Sequence, residues 1–408
     1  MAHPDLEIDH IRVIETTSTY VRDPYATLSH CWGTVPFSVL RRDNLDQWKR
    51  SVQLSDLSKT FQEAIAVTRK VSVHYLWVDS LCIVQGDPEL RDWDIESTKM
   101  DQYYSEAFCK ISATASSGSL DGLYRDREPD SLQHMKHKMP AKAGRANAMY
   151  DIFNVSLWER QLDAAPLHRR AWVLQERMLA RRVLHFGESQ LIWECRQKTA
   201  PEIYSEGLPA VHSFQVQAGS KEKNTIPSYV MRYRSSDEWQ IALKTWDKLA
   251  LEYSRCLITN ASDRSRALQG LANGFEPILN DRFIVGCWRN EIQRHLLWRG
   301  VDSLYPPVNQ LYGSARDYGL PSWSWLASDC PLDRNRPFGI HPAQDEQLLV
   351  EGLTLQSTEV PSLTLRCELW LSTFLLGKHG LFSVPRSEKR KLSFRFVPTV
   401  YFDQARKG

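Results

Sequence analysis

Hydrophobic and polar positions change period several times along the chain, and each change marks an element. Tyr25-Ala-Thr-Leu-Ser-His30 has the length of a short strand. From Ser55 to Lys70, Leu57, Phe61, Ala64, Ile65 and Thr68 keep helical spacing. Ser55 offers a cap for that helix, and Arg69 and Lys70 suit its last turn. His74-Tyr-Leu-Trp-Val-Asp79 is a continuous apolar run, the pattern of a buried strand. Asp87-Pro88-Glu89 then opens a second helix with a cap, a proline at the first helical position and an adjacent acid. Trp93, Met100, Tyr103, Tyr104 and Ala107 share one face of it. Lys110 to Ala115 supplies a third strand. The order β-α-β-α-β predicts a mainly parallel sheet flanked by helices.

Beyond residue 125 the periodicity lapses, and 125–165 reads as a polar, irregular insertion. Pro166 to Leu179 resumes as a helix, with Leu167, Ala171, Leu174 and Met178 in register. Val183 to Phe186 and Gln190 to Cys195 form a hairpin candidate turning at Gly187-Glu188-Ser189. After a polar stretch near 200–235, Trp239, Leu243, Trp246, Leu249 and Tyr253 line one side of a helix over about 237–256. Shorter helical pieces follow, and the remainder is strand-rich. The expected organisation is an α/β domain over 1–200 and an α+β C-terminal region over 201–408.

Composition narrows the function classes. A chain of 408 residues buries roughly 75% of its unfolded surface, so its core needs no disulfide or metal support. The net charge of +2 argues against a dedicated nucleic-acid binder. Basic stretches at His134–Arg145 and Arg386–Lys391 read as solvated loops or edges. Eight cysteines lie scattered with no C-x-x-C pair, and no metal is expected. Without a signal-peptide pattern or a membrane-length apolar run, the expected location is cytoplasmic and away from membranes. Fourteen tryptophans are the unusual number. They speak for a large aromatic core.

Candidate chemistry gathers where ligands bind in open α/β sheets, beyond the carboxyl ends of strands. One strand runs into Ser29-His30-Cys31-Trp32-Gly33, another into Asp79-Ser80 with Cys82 and Gln85 behind it. Either these groups converge on a ligand, or Ser29 and Ser80 begin turns, Asp79 caps a segment and the cysteines fill core space. Glu96 lies three residues after Trp93 and four before Met100, which places a carboxylate on an apolar helix face. It is either an acid facing a pocket or half of an ion pair with Arg170 or Arg177. Arg170-Ala-Trp172-Val-Leu-Gln175-Glu176-Arg177 packs enough charge to bind an anionic or ribose-containing ligand, or to lock helix to sheet. Glycine-rich phosphate loops, zincin motifs and nucleophile elbows are missing. A Cys–His nucleophile pair drawn from Cys31 or Cys82 with His30 or His74 is conceivable. His30 is poorly placed for Cys31, because neighbours on a strand point to opposite faces.

Taken together, Tyr25–Gly33, Tyr75–Gln85, and Asp92-Trp93-x-x-Glu96-x-x-x-Met100-x-x-x-Tyr104-x-x-Ala107 resemble the three blocks of the fungal heterokaryon-incompatibility (HET) domain. Arg170 to Glu176 is similar to that domain's closing motif. Trp193-Glu-Cys195, Asp263-Arg264 with Ala267 to Ala272, and Pro321 to Trp325 resemble the extension common in stand-alone members. Leu57-Ser58 and Val71-Ser72 depart from the usual pattern without changing a polar group at the strand ends.

The resemblance implies a TIR-like, flavodoxin-like parallel sheet and a role in non-self recognition and programmed cell death. Some TIR domains hydrolyse NAD at the nicotinamide–ribose bond using a glutamate. By that analogy Glu96 stabilises oxocarbenium-like charge, with Asp79 and His30 as further catalytic candidates. Ser29, Trp32, Ser80 and Cys82 would hold the ligand from the strand ends. Trp93, Tyr104, Arg170, Trp172 and Glu176 would hold it from the helices. No cofactor is implied; NAD enters as substrate, the partner is a small molecule or nucleotide, and self-association is open. Two other readings stay open: a stand-alone enzyme of natural-product biosynthesis performing cyclisation, dehydration or hydrolysis, and a non-catalytic interaction domain.

Overall fold

The computed structural model describes residues 9–16, 23–86, 92–127, 132, 135–139, 148–152, 157–207, 236–300, 320–321, 323–328, 330–333 and 338, together with strand backbone at 350–356, 362–377 and 380–396. The chain divides into two compact units, one of residues 1–245 with 266–278 and one of 246–265 with 279–408.

In the first unit β1 (His10–Ile11) pairs antiparallel with β3 (Val52–Gln53), beside the short helix α1 (Leu45–Arg50). The main strands are β2 (Tyr25–Ser29), β4 (Tyr75–Trp77) and β5 (Cys109–Ser112). A separate antiparallel pair, β6 (Met135–Met139) with β7 (Ala148–Ile152), lies where the sequence reads as irregular. The hairpin predicted at 183–195 forms as β8 (Arg182–Phe186) and β9 (Leu191–Cys195), followed by β10 (Thr199–Pro201). The six-stranded sheet has the order β10-β9-β8-β5-β2-β4. Strands β4, β2, β5 and β8 are parallel, whereas β9 and β10 run antiparallel. The sheet is therefore mixed rather than wholly parallel, because a tight hairpin can join only antiparallel neighbours.

Helix α2 (Lys59–Lys70) starts later than the spacing predicts. Leu54–Asp56 forms a separate 3-10 turn, and Ser58 rather than Ser55 stands at the N-cap. Phe61, Ala64 and Ile65 of α2 share one apolar cluster with Ala26, Leu28, Ile111 and Phe186 of the strands. A short helix α3 (Asp79–Cys82) follows β4, while the proposed cap at Asp87-Pro88-Glu89 lies outside the described residues. The next helix is broken into α4 (Asp92–Glu96), a 3-10 turn at Ser97–Lys99 and α5 (Met100–Glu106). Likewise Leu167–Arg169 is 3-10, and α6 spans Ala171–Leu179. Strand β4 is an edge strand, half-buried along its length, so the apolar run at 74–79 does not mark a central strand. There Trp77 stacks on Tyr103 with centroids 4.9 Å apart, at the sheet's edge rather than in its core.

Helix α7 (Ser236–Tyr253) leads from the first unit into the second, and α8 (Arg266–Leu279) carries the chain back through the first. The second unit has an aromatic centre: Trp246 packs edge-on to Trp288 at 4.9 Å and Phe283 at 5.3 Å. Phe283 and Trp288 belong to the two-residue strands β11 (Phe283–Ile284) and β12 (Cys287–Trp288). Their turn needs Gly286, whose φ is +89° and whose Cβ position lies 2.8 Å from Trp325 Nε1. That indole donates to the Gly286 carbonyl at 2.8 Å. On α9 (Ile292–His295), Arg294 makes a two-point pair with Asp247 at 2.7 and 2.9 Å. The backbone of β13 (Val350–Gln356), β14 (Ser362–Gly377) and β15 (Gly380–Phe396) forms an antiparallel sheet, as the strand-rich reading of the tail predicts. Among the described residues no helix is long and apolar enough to cross a membrane.

Candidate functional site

Alternation along the central strands sends their polar residues to one face. Register pairs Thr27 with Lys110 and Ser29 with Ser112, then Lys110 with Val183 and Ser112 with His185. Val183 in turn faces Glu194 across the hairpin. Paired residues share a face, so Thr27, Ser29, Lys110, Ser112, His185 and Glu194 lie together, opposite the α2 side. All six are buried. Helix α6 adds Gln175, Glu176 and Arg177, also buried.

Two polar groups result. At the carboxyl end of β2, Ser29 donates its hydroxyl proton to Glu176 Oε2. Lys110 Nζ lies 3.9 Å from the same oxygen and 5.9 Å from the centre of the Tyr104 ring. Tyr104 joins through its ring, which faces Lys110, and its hydroxyl responds to Ser29 and Glu176. Burial, followed by the charge of Glu176, holds that phenol protonated. Burial raises the Glu176 carboxyl as well, against the opposing pull of Lys110 and Ser29.

Asp79 belongs to the same end of the sheet. It occupies the first position of α3, where its Oδ1 accepts the Ser80 amide at 2.7 Å and its Oδ2 accepts Trp32 Nε1 at 3.3 Å. Its side chain is 21% exposed. Desolvation raises its pKa, while Arg170 opposes the rise. Arg170, at the N-cap position of α6, donates to the His30 carbonyl at 3.3 Å. His30 Nδ1 stands 3.9 Å from Asp79 Oδ1, beyond hydrogen-bond range. Burial and then Arg170 push its pKa down to about 3, so His30 is neutral at physiological pH. Its ring is edge-on to Phe61 at 4.9 Å, and its Nε2 and the Ser80 hydroxyl are buried with no hydrogen-bond partner among the described residues. Burial raises the Cys31 thiol and pushes Cys82 up to about 11, so neither is a ready nucleophile.

The second group lies deeper along α6. Arg177 grips Glu194 at 3.0 and 3.2 Å, and His185 Nε2 is 3.0 Å from the same carboxylate. His185 Nδ1 meets Thr114 Oγ1 at 3.2 Å, which in turn meets Ser112 Oγ at 3.0 Å. Sequence reasoning missed Lys110, Thr114, His185 and Glu194. The signal was the alternation Lys110-Ile-Ser112-Ala-Thr114, in which a strand at the centre of the sheet carries polar residues at every second position.

Residues 25–176 match the family model described as heterokaryon incompatibility protein (HET). The chain carries a HET domain. The match opens on the first residue of β2 and closes on the glutamate that holds Ser29. No curated protein and no solved structure matches the chain at a significant level.

Within the HET domain the fold gathers Ser29, His30, Trp32, Asp79, Ser80, Tyr104, Arg170 and Glu176 around the carboxyl ends of β2 and β4. Cys82 lies one turn into α3, with its sulfur accepting the Val78 amide at 3.4 Å. Trp93 and Trp172 meet edge-on at 5.7 Å. Glu96 has other partners. It takes hydrogen bonds from Lys99 at 2.8 Å and from the Tyr103 hydroxyl, so neither arginine expected from the sequence pairs with it. The 3-10 turn at Ser97–Lys99 breaks the 3.6-residue period between Glu96 and Met100, while Trp93 and Glu96 stay together on α4. Among the described residues no group of three His, Cys, Asp or Glu side chains is arranged to hold a metal.

Proposed function

We propose that the HET domain binds a nucleotide at the carboxyl ends of β2, β4 and β5 and acts as a TIR-like effector of non-self recognition, hydrolysing NAD. The observation that carries this reading is the convergence of Asp79, Glu176, Lys110 and Arg170 at that end of the sheet. The order β4-β2-β5-β8 supports it. Counting only these parallel strands in chain order gives 2-1-3-4, which accords with the proposed flavodoxin-like arrangement, whose ligand crevice opens where the connections leave the first strand in opposite directions.

In this reading the Asp79 carboxylate faces the ribose, with Trp32 and the Ser80 amide fixing its orientation. Arg170 meets the anionic phosphates. The bond from the ribose anomeric carbon to the pyridinium nitrogen breaks, and its electron pair leaves with neutral nicotinamide. Carboxylate charge stabilises the oxocarbenium-like transition state. Water then adds to the anomeric carbon and releases a proton. Asp79 and Glu96 are the two acids the sequence singles out for this role, and the geometry favours Asp79.

Chromatographic measurement of nicotinamide release from NAD tests the reading. The full chain is expected to release nicotinamide, and Asp79→Asn to slow release by about a hundredfold or more. Glu96→Gln is expected to stay within a few-fold of the parent. Loss in Glu96→Gln with activity kept in Asp79→Asn would reassign the acid. No release from the parent chain would overturn NAD hydrolysis.

A further inference from the structure

Helix α8 lies outside the family match, yet its residues 266–278 belong to the same compact unit as the HET domain. Three contacts hold it. Arg266 Nη1 donates to Asp94 Oδ1 of α4 at 3.0 Å, and Asn273 Nδ2 donates to Asp101 Oδ2 of α5 at 3.1 Å. Between them the backbone N–H of Gly270 donates to Gln175 Oε1 of α6 at 2.8 Å. Residues 266, 270 and 273 follow an i, i+4, i+7 spacing and so present one helix face. The Arg266–Asp94 pair is exposed on both sides and contributes little, whereas the Gly270–Gln175 contact is buried.

Gly270 makes that contact possible. A Cβ at this position would sit 2.5 Å from Gln175 Oε1 and 2.7 Å from Asp101 Cβ. At Gly274, one turn along the same helix, a Cβ would meet nothing within 4 Å. The two glycines therefore differ only in what they face. On the other side of the contact, Gln175 and Glu176 are consecutive on α6, about 100° apart around its axis. One holds α8; the other holds Ser29 and stands against Lys110.

We infer that α4, α5 and α6 of the HET domain form a helix-docking surface, that α8 of the same chain is its occupant, and that docking fixes α6 over the polar face of the sheet. Helix α6 is held at two points about 100° apart around its axis, and α8 supplies the one away from Ser29. The inference is independent of whether NAD is the substrate.

Hydrogen exchange of the full chain tests it, comparing Gly270→Leu with Gly274→Leu. In Gly270→Leu the amides of residues 171–179 are expected to exchange at least about tenfold faster, while Gly274→Leu matches the parent. Exchange in α6 that stays at the parent rate while α8 alone loses protection would make α8 a passenger and overturn the inference. Equal effects from both substitutions would overturn it too. Should Gly270→Leu fail to fold, Gln175→Ala removes the acceptor without adding bulk. It is expected to speed exchange in both α6 and α8, and parent-like exchange in both would overturn the inference.

Discussion

The two faces of the six-stranded sheet are both buried, yet they are built from opposite chemistry. Toward α2 the strands present Ala26, Leu28, Ile111 and Phe186, which close on Phe61, Ala64 and Ile65. Toward α6 these strands present Ser29, Lys110, Ser112 and His185, and β9 adds Glu194. The first face is held by area removed from water and by close packing. The second is held by specific partners, because each buried charge costs several kcal/mol unless it is paired. The faces should therefore fail in different ways. The apolar face loses stability in proportion to the volume deleted. The polar face loses it when one partner of a pair is left behind.

The largest expected effect follows from deleting a buried carboxylate that two partners share. Glu194→Ala leaves the Arg177 guanidinium and His185 Nε2 without their shared acceptor. A loss of about 3–5 kcal/mol is expected by urea denaturation. Adding Arg177→Met to that background removes the guanidinium that lost its carboxylate and should recover part of the loss. A double variant as unstable as the sum of its singles would show that the pair does not act as a unit. Next comes Leu28→Ala on the opposite face, expected to cost about 2–5 kcal/mol. No second deletion should restore it, because a cavity has no partner to remove.

How much of this comparison was legible in the sequence depends on which physical level decides each feature. The central strands and the hairpin were readable because their length and turn chemistry are local. The edge position of β4 was not, since strand order is set by tertiary packing and an apolar run looks alike at an edge and at a centre. The late start of α2 turned on a 3-10 turn at Leu54–Asp56, which a helical wheel does not resolve. Glu96 was misaligned for a similar reason, one 3-10 turn downstream. The polar face was present as alternation at 110–114, but that alternation ordinarily marks a strand with one side in water. Only the covering by α6 makes the polar side interior. The cluster at Ser29 and Asp79 was legible because the ends of parallel strands are where such sheets place ligands.

Titration distinguishes the faces gradually, one pH unit at a time. His30, beside Phe61, has its pKa lowered to about 3 by burial and then by Arg170. Its native form refuses a proton that the unfolded chain accepts below about 6.5. Stability should therefore fall by about 1.4 kcal/mol per pH unit as pH drops from 6.5 toward 3. Asp79 and Glu176 act in the opposite sense, since burial raises both. Native protein keeps their protons where the unfolded chain has released them. Their contribution is largest at acid pH and is lost as pH rises through the raised values. His30→Gln isolates the first effect. Urea midpoints at pH 6.5, 5.5 and 4.5 should show the parent losing more stability than the variant at each step. Parallel curves would mean that His30 titrates normally in the native state.

The smallest effect is the sharpest comparison, because it uses neighbouring residues on one strand. Ile111 points to the apolar face and Ser112 to the polar one, and both are buried. Ile111→Val removes one methylene and should cost about 0.5–1.5 kcal/mol. Ser112→Ala removes the hydroxyl bonded to Thr114 Oγ1 at 3.0 Å. The Thr114 hydroxyl still has the Ser112 carbonyl at 3.3 Å and His185 Nδ1 at 3.2 Å, so it is not orphaned. A cost below about 1 kcal/mol is expected, since a neutral hydrogen bond with a surviving alternative contributes little net stability. In a background of Thr114→Val the cost of Ser112→Ala should change, because the two hydroxyls share partners. For Ile111→Val it should not, because its neighbours lie on the other face. Coupling between Ile111 and Thr114 as large as that between Ser112 and Thr114 would show that the sheet does not separate the two chemistries.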